Sequence, residues 1–261
     1  MAWLFLRPDE RSRYGALAAL EHEWLRAIRD VLEPQVAAAK LGWWREEMQR
    51  AAQGQARHPL TQTLFADARV KGVPLVCWTA PVEAAMVALT AAPPTDFVAQ
   101  CATSAPLTDA IAELETRVWF GEGFARQRAA RVTLFEHLIS NARELEAEAG
   151  RGRSPLPMNL LARHALTIDG LGRDSPARRA ALRDYLAEVE RELAGTAKMP
   201  GALTLFRVAA FQQNRHALGR AARAEDPLSA LRSPAYGPRG LLKTWRAART
   251  LRGLARPGNP S

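Results

Sequence analysis

Four polar side chains recur at helical spacing in the second half of the chain, and side chains of these types can bind a metal ion or a substrate. They are His137, Asn141, Glu144 and Glu148. A continuous helix over Val132 to Gly150 places all of them on one face, with the two glutamates one turn apart. Carboxylates at that spacing can share Mg²⁺ with the phosphates of a substrate. An exposed glutamate-rich helix face has the same spacing and is common in proteins, so the residues alone leave both interpretations open.

The elements that must position these side chains are helices. Apolar residues recur at intervals of three and four along most of the chain, which is typical of amphipathic helices. One such series is Leu17, Leu20, Trp24, Ile28 and Val31. Ala, Leu, Arg and Glu dominate, and no stretch alternates apolar and polar residues as strands do. We therefore predict an all-α protein whose helices are separated by short proline- and glycine-containing connections.

The composition excludes several classes of protein. Of the 261 residues, 48% are hydrophobic and 24% are charged, which is ordinary for a globular protein and excludes a disordered or membrane-spanning class. No interval between helical stretches is long enough for a flexible linker, so we expect one helical domain over residues 1–224 and a basic extension over residues 225–261. Cys77 and Cys101 are too few for a disulfide framework, and we expect a cytoplasmic location.

Almost all of the net positive charge lies near the C-terminus. The segment from Arg215 to Arg256 carries ten basic and two acidic residues, which gives +8 of the total +9. Within it, an apolar stripe lies beside a basic one, as in a short amphipathic helix; the residues are Leu241, Leu242, Trp245, Ala248 and Leu251, with Lys243, Arg246, Arg249 and Arg252. Such a helix can lie on an anionic lipid surface at the inner membrane face, or dock on the core with its basic side in water. We expect no nucleic-acid partner, because no recognised binding module accompanies the charge.

Two segments carry a family resemblance. Residues 40–48 read KLGWWREEM and are followed by Arg57, His58 and Pro59. Residues 151–166 read RGRSPLPMNLLARHAL. The first resembles the WWREE segment and following HP of the squalene/phytoene synthase family, and the second is similar to the family's segment after its second aspartate-rich helix. The ending at residues 237–249, GPRGLLKTWRAAR, resembles the C-terminal tail of bacterial members.

The resemblance implies a single-domain isoprenoid-synthase-like bundle of antiparallel helices around a central cavity. Family enzymes join two prenyl diphosphates, such as farnesyl or geranylgeranyl diphosphate, head to head. Two aspartate-rich motifs on facing helices hold Mg²⁺, which binds the diphosphate and helps it leave. Carried over to this chain, the second motif falls on Glu144 and Glu148, which become the metal ligands and catalytic carboxylates. Arg143, Arg151 and Arg153 become diphosphate donors, and His137 and Asn141 line the substrate site.

The sequence departs from the family pattern at the first motif. Residues 21–30 read EHEWLRAIRD and contain no DxxxD, so Glu23 is the only plausible remnant. The resemblance therefore implies either a divergent Mg²⁺-dependent prenyltransferase or a protein without catalysis that keeps the fold. In the second case it would bind a prenyl diphosphate or another lipid in the cavity, or act as an assembly factor for a membrane complex, and it would need no cofactor.

Overall fold

The structure is a computed structural model that describes residues 6, 8–233, 242, 245–246 and 248–249. Every regular element in this part of the chain is a helix, which confirms the predicted all-α class. The α-helices are α1 (Pro8–Arg29), α2 (Pro34–Ala52), α3 (Pro59–Phe65), α4 (Ala68–Lys71), α5 (Leu75–Ala88), α6 (Phe97–Phe120), α7 (Gln127–Arg143), α8 (Leu145–Gly150), α9 (Met158–Arg163), α10 (Ile168–Leu171), α11 (Pro176–Gly195), α12 (Leu205–Ala221) and α13 (Pro227–Arg232). A short 3₁₀ helix, Thr196–Lys198, follows α11.

Local sequence explains where the long helices begin and end. The side chains of Asp96 and Ser175 accept hydrogen bonds from backbone amides in the first turns of α6 and α11, which would otherwise lack a partner. Pro34 and Pro176 occupy the first turns of α2 and α11, where the missing amide proton costs nothing. Gly121 ends α6 with a φ of 84°, a conformation that favours glycine.

The prediction of one helix over Val132 to Gly150 was wrong. Residue Glu144 leaves the helical conformation, so α7 ends at Arg143 and α8 begins at Leu145. The side chain of Arg232 donates a hydrogen bond of 2.7 Å to the carbonyl oxygen of Arg143. This distant contact uses a carbonyl that would otherwise accept a bond from within a continuous helix.

Two apolar clusters form the core. The first joins α1, α2, α3 and α5 to one face of α6, and its largest buried side chains are Trp24, Trp44 and Trp78. The second joins α7 to α13 and contains Phe135 and Tyr185. Helix α6 contributes to both clusters and therefore lies between the two halves of the bundle. Four helices, α1, α6, α7 and α12, line a cavity where the halves meet.

The packed helices continue beyond the predicted boundary at residue 224. Leu228 and Leu231 of α13 are buried in the second cluster. Further on, Ala248 is buried in a small third cluster with Leu6, Tyr14 and Leu205, so part of the extension docks on the core. Four residues of the predicted amphipathic stripe, Leu241, Lys243, Leu251 and Arg252, lie outside the described residues, as does most of residues 234–261. No helix in the described part of the chain is both long and apolar enough to cross a membrane.

Candidate functional site

The cavity between α1, α6, α7 and α12 has a volume of about 250 Å³. One face of α1 forms much of its wall, because residues at intervals of three and four point the same way on a helix. Leu17 and Leu25 of this face, together with Phe206 of α12, give the cavity apolar walls.

The floor of the cavity is polar and is built around one arginine. Arg207, at the start of α12, is 5% exposed and makes three ion pairs with glutamates from three other helices. Its Nε lies 2.6 Å from Glu115 of α6, its Nη1 lies 2.7 Å from Glu136 of α7, and its Nη2 lies 2.8 Å from Glu21 of α1. We call these four residues the Arg207 cluster. A pairing of this kind, with each guanidinium nitrogen in a short charge-assisted bond, fixes the four helices relative to one another.

The Arg207 cluster carries more negative than positive charge. Three carboxylates face one guanidinium, and all four residues line the cavity. Burial raises the pKa of Glu21 above its ordinary value, and the negative charges of Glu115 and Glu136 act in the same direction, while Arg207 opposes them. The hydroxyl group of Thr204 donates a further hydrogen bond to Glu115. The cavity floor is therefore acidic although an arginine lies at its centre.

Tyr14 adds a polar group without a partner to the same cavity. Its side chain is 2% exposed and lines the cavity. Its buried hydroxyl group makes no hydrogen bond within the protein. Burial and the neighbouring charge of Glu115 raise the pKa of Tyr14, so the hydroxyl keeps its proton at neutral pH. A buried donor of this kind is costly unless a ligand or water accepts its hydrogen bond.

The predicted metal ligand Glu148 is already neutralised by arginines. It is 9% exposed, and Arg151 Nη1 and Arg153 Nε lie 3.1 Å and 2.8 Å from its two oxygens. Arg153 also donates hydrogen bonds to the carbonyl oxygens of Ile28 and Arg29. These carbonyls belong to the last turn of α1, where no amide within the helix can reach them. Arg153 therefore connects Glu148 directly to the helix in which the first metal-binding motif was expected.

The other predicted carboxylates do not join Glu148. Glu144 is exposed at the break between α7 and α8. Glu23 pairs with Lys40 at 2.9 Å and lies 3.8 Å from Arg26. The hydrogen bond from Lys40 lowers the pKa of Glu23. Of the three, one is exposed and two are bound to basic side chains.

The remaining predicted site residues have partners within the protein. Arg143 donates hydrogen bonds to Asn214 of α12 at 2.9 Å and to the carbonyl of Leu231 in α13 at 3.2 Å. Asn141 lies 3.1 Å from His137, and their side chains are paired. Burial lowers the pKa of His137 to about 4, with the charge of Arg29 acting in the same direction, so this imidazole is neutral at pH 7. Arg143 therefore holds α7 to α12 and α13.

The residues predicted to bind Mg²⁺ do not fit a metal cluster in this arrangement. Both oxygens of Glu148 accept hydrogen bonds from arginine, and a cation would have to displace Arg153. Among the residues that the structure describes, no group of three or more His, Cys, Asp or Glu side chains is arranged to hold a metal ion. Arginine guanidinium groups pair with Glu148 and with the three carboxylates of the Arg207 cluster.

The sequence model of the squalene/phytoene synthase family matches residues 1–239. The chain belongs to this family. Its fold is similar to that of a dehydrosqualene synthase crystallised in complex with a ligand, with a TM-score of 0.71 at 11% sequence identity; the match covers 97% of this chain and 90% of that one. No curated protein matches the sequence significantly. Membership confirms the resemblance seen in the WWREE and RGR segments.

The WWREE and HP segments of this family member build a hydrogen-bonded turn. Glu47, the last glutamate of WWREE, is fully buried. Its Oε1 accepts bonds from the amides of Arg57 and His58, at 2.7 and 2.9 Å, and from the Thr61 hydroxyl at 2.6 Å. Burial acts to raise the pKa of Glu47, but these bonds outweigh it and lower the pKa. Trp44 packs edge-on against His58 at 4.8 Å between ring centres. In this chain, the segments that mark the family fix the path of the chain from α2 to α3.

Analysis of the sequence missed the Arg207 cluster. Glu115 lies between apolar residues of α6, and Glu21 and Arg207 lie on helix faces that also carry buried apolar residues. A charged residue on an apolar face indicates a buried partner, and that signal was present in the sequence. The partner could not be identified, because Glu21 and Arg207 are 186 residues apart in the chain.

Proposed function

We propose that this member of the squalene/phytoene synthase family binds an isoprenoid chain in its cavity and does not join two prenyl diphosphates. The pairing of Glu148 with Arg151 and Arg153 carries the proposal. In the family, this region is expected to supply carboxylates for Mg²⁺, and here its buried carboxylate is bound to two guanidinium groups.

The loss of free carboxylates matters because of the chemistry of the leaving group. Ionising an allylic diphosphate builds up negative charge on the departing oxygens, and metal ions supply much of the stabilisation. Glu148 and Glu23 each pair with basic side chains, and Glu144 is exposed. Without two facing carboxylate clusters, the usual ionisation step loses its main support.

The size of the cavity supports binding of a single apolar chain. Its volume of about 250 Å³ lies just below the range of roughly 300–1,000 Å³ for pockets that hold drug-sized ligands. Head-to-head condensation requires two long prenyl chains in one cavity. Leu17, Leu25 and Phe206 provide an apolar lining that suits one chain.

Diphosphate release tests the catalytic part of the proposal. The purified protein is incubated with farnesyl or geranylgeranyl diphosphate and Mg²⁺, beside the Glu144→Ala/Glu148→Ala double variant. We expect no release from either protein above the rate without protein. Release by the wild type that disappears in the folded double variant would show a working metal site and refute the proposal.

Thermal stability tests the binding part. A molecule that binds only the folded state raises the melting temperature in proportion to the logarithm of its concentration. We expect a prenyl chain to raise it, and we expect replacement of the wall residue Leu25 by Trp to abolish the shift. Trp43→Ala, which changes an exposed residue that does not line the cavity, should retain the shift.

We also propose that the C-terminal extension contacts an anionic membrane surface. Leu242 and Trp245 are 46% and 41% exposed, and the Arg249 guanidinium lies 5.0 Å from the Trp245 ring. Ala248 in the same segment is buried against Tyr14 and Leu205. One side of the segment therefore docks on the core while the other presents apolar and basic groups, an arrangement suited to a lipid surface.

A further inference from the structure

We infer that the cavity selects a prenyl chain that ends in an uncharged alcohol over the same chain that ends in a diphosphate. The inference rests on the proposed function, since it names the head group of the chain held in that cavity. Two independent observations carry it, the charge of the Arg207 cluster and the unpaired hydroxyl group of Tyr14.

The charge of the cavity floor disfavours a diphosphate. Glu21, Glu115 and Glu136 supply three carboxylates and Arg207 supplies one guanidinium. All three guanidinium nitrogens are already engaged at 2.6 to 2.8 Å. A multiply charged diphosphate would have to displace these carboxylates or lie beside them, and like charges at such distances repel strongly in a partly buried site.

An alcohol matches the hydrogen-bonding groups that remain. The buried Tyr14 hydroxyl has a proton to donate and no acceptor within the protein. Carboxylate oxygens of Glu21 and Glu136 that are not paired with Arg207 can accept a hydrogen bond at the same cavity. A hydroxyl group both accepts and donates, so it can bond to Tyr14 and to a carboxylate together. Neither a hydrocarbon end nor a diphosphate can do both.

The apolar walls hold the rest of the molecule. Leu17, Leu25 and Phe206 lie on the same cavity as Tyr14 and the Arg207 cluster. A prenyl alcohol would place its chain against these side chains and its hydroxyl group at the acidic floor. Apolar burial supplies affinity, and the hydroxyl group supplies selectivity.

Competition binding with three probes of equal chain length tests the inference. The probes are a prenyl alcohol, its diphosphate with and without Mg²⁺, and the hydrocarbon without a head group. From the loss of two hydrogen bonds, each worth about 1 kcal/mol, we expect the hydrocarbon to bind about thirtyfold more weakly than the alcohol. We expect the diphosphate to bind at least about tenfold more weakly, with or without Mg²⁺.

Two substitutions assign the selectivity to the cavity. Tyr14→Phe removes the unpaired hydroxyl and should cut alcohol affinity about fivefold while leaving hydrocarbon affinity unchanged. Its matched control is Tyr185→Phe. Tyr185 is a fully buried tyrosine of the second cluster and does not line the cavity, so this variant should keep the alcohol affinity of the wild type. Glu136→Gln removes one negative charge from the floor and should strengthen diphosphate binding. Glu192→Gln removes a charge from a surface pair with Arg131 and should have no effect.

The outcomes separate the two proposals. If no probe binds, the proposed function fails. If all three bind equally, or the diphosphate binds more tightly than the alcohol, the chain-binding proposal stands and the head-group inference is overturned. Equal loss of alcohol and hydrocarbon affinity in Tyr14→Phe would show a packing effect and would also overturn it.

Discussion

Replacing Glu47 by Ala should destabilise the protein far more than replacing its neighbour Glu46 by Ala. The carboxylate is fully buried and accepts hydrogen bonds from two backbone amides and from the Thr61 hydroxyl. Its other oxygen lies 3.1 Å from the Arg50 guanidinium. Alanine removes the acceptor that all of these donors share.

The size of the effect follows from the stranded donors. A buried donor left without an acceptor costs about 1–3 kcal/mol. The amide of Arg57 belongs to an exposed residue and can bond to water instead. The Thr61 hydroxyl can donate to the carbonyl oxygen of His58, 2.8 Å away, which leaves the His58 amide as the main loss. We therefore expect Glu47→Ala to lower the free energy of unfolding by about 1–3 kcal/mol.

Urea denaturation followed by circular dichroism measures the change. The matched control is Glu46→Ala, because Glu46 is the neighbouring glutamate, is exposed, and makes only a 3.5 Å contact with Arg50. For this control we expect the free energy of unfolding to change by no more than about 0.5 kcal/mol.

The lowered pKa of Glu47 also predicts how stability depends on pH. Since its folded pKa lies below its unfolded value, the stability that its charge provides is present above the unfolded pKa and is lost as the pH falls through the folded pKa. Equal stability of the two variants would refute the interpretation of the WWREE segment as a structural turn.

Two further predictions concern the Arg207 cluster and the C-terminal extension. Arg207→Met leaves three carboxylates without a cation and should lower the free energy of unfolding by about 3–5 kcal/mol at neutral pH. Burial raises the pKa of Glu21, and the variant lacks the Arg207 charge that opposes this rise. The melting temperature of the variant should therefore increase as the pH falls from about 8 to about 5; a decrease over that range would contradict the charge assignment. Trp245→Ala should weaken co-sedimentation with vesicles rich in phosphatidylglycerol by about tenfold. Trp43→Ala, an equally exposed tryptophan on α2, should bind as the wild type does. Equal binding by both variants would exclude Trp245 from the membrane contact.

The helical class and the family could be predicted from the sequence because both depend on local signals. Apolar spacing specifies amphipathic helices, and the WWREE and RGR segments are contiguous stretches. The end of α7 at Arg143 could not be predicted, since the residues around it favour a helix and the bond from Arg232 comes from a distant part of the chain.

The partners of the predicted site residues could not be predicted. The family resemblance placed the second motif on Glu144 and Glu148, yet whether a carboxylate is free to bind a metal depends on its neighbours in space. For Glu148 those neighbours are Arg151 and Arg153, which the sequence analysis assigned to a diphosphate. Opposite charges close in sequence can pair with each other or with a ligand, and only the three-dimensional arrangement decides between the two.

The position of Arg153 constrains any attempt to rebuild a metal centre in this protein. Arg153 donates hydrogen bonds both to Glu148 and to the final carbonyl oxygens of α1. Installing new acids on α1 while Arg153 remains would give that arginine more carboxylates to bind. Removing Arg153 first would leave Glu148 with Arg151 alone and would remove the donor that the last carbonyls of α1 share. Each substitution alone is thus unfavourable, and a designed enzyme based on this scaffold requires both changes in the same step.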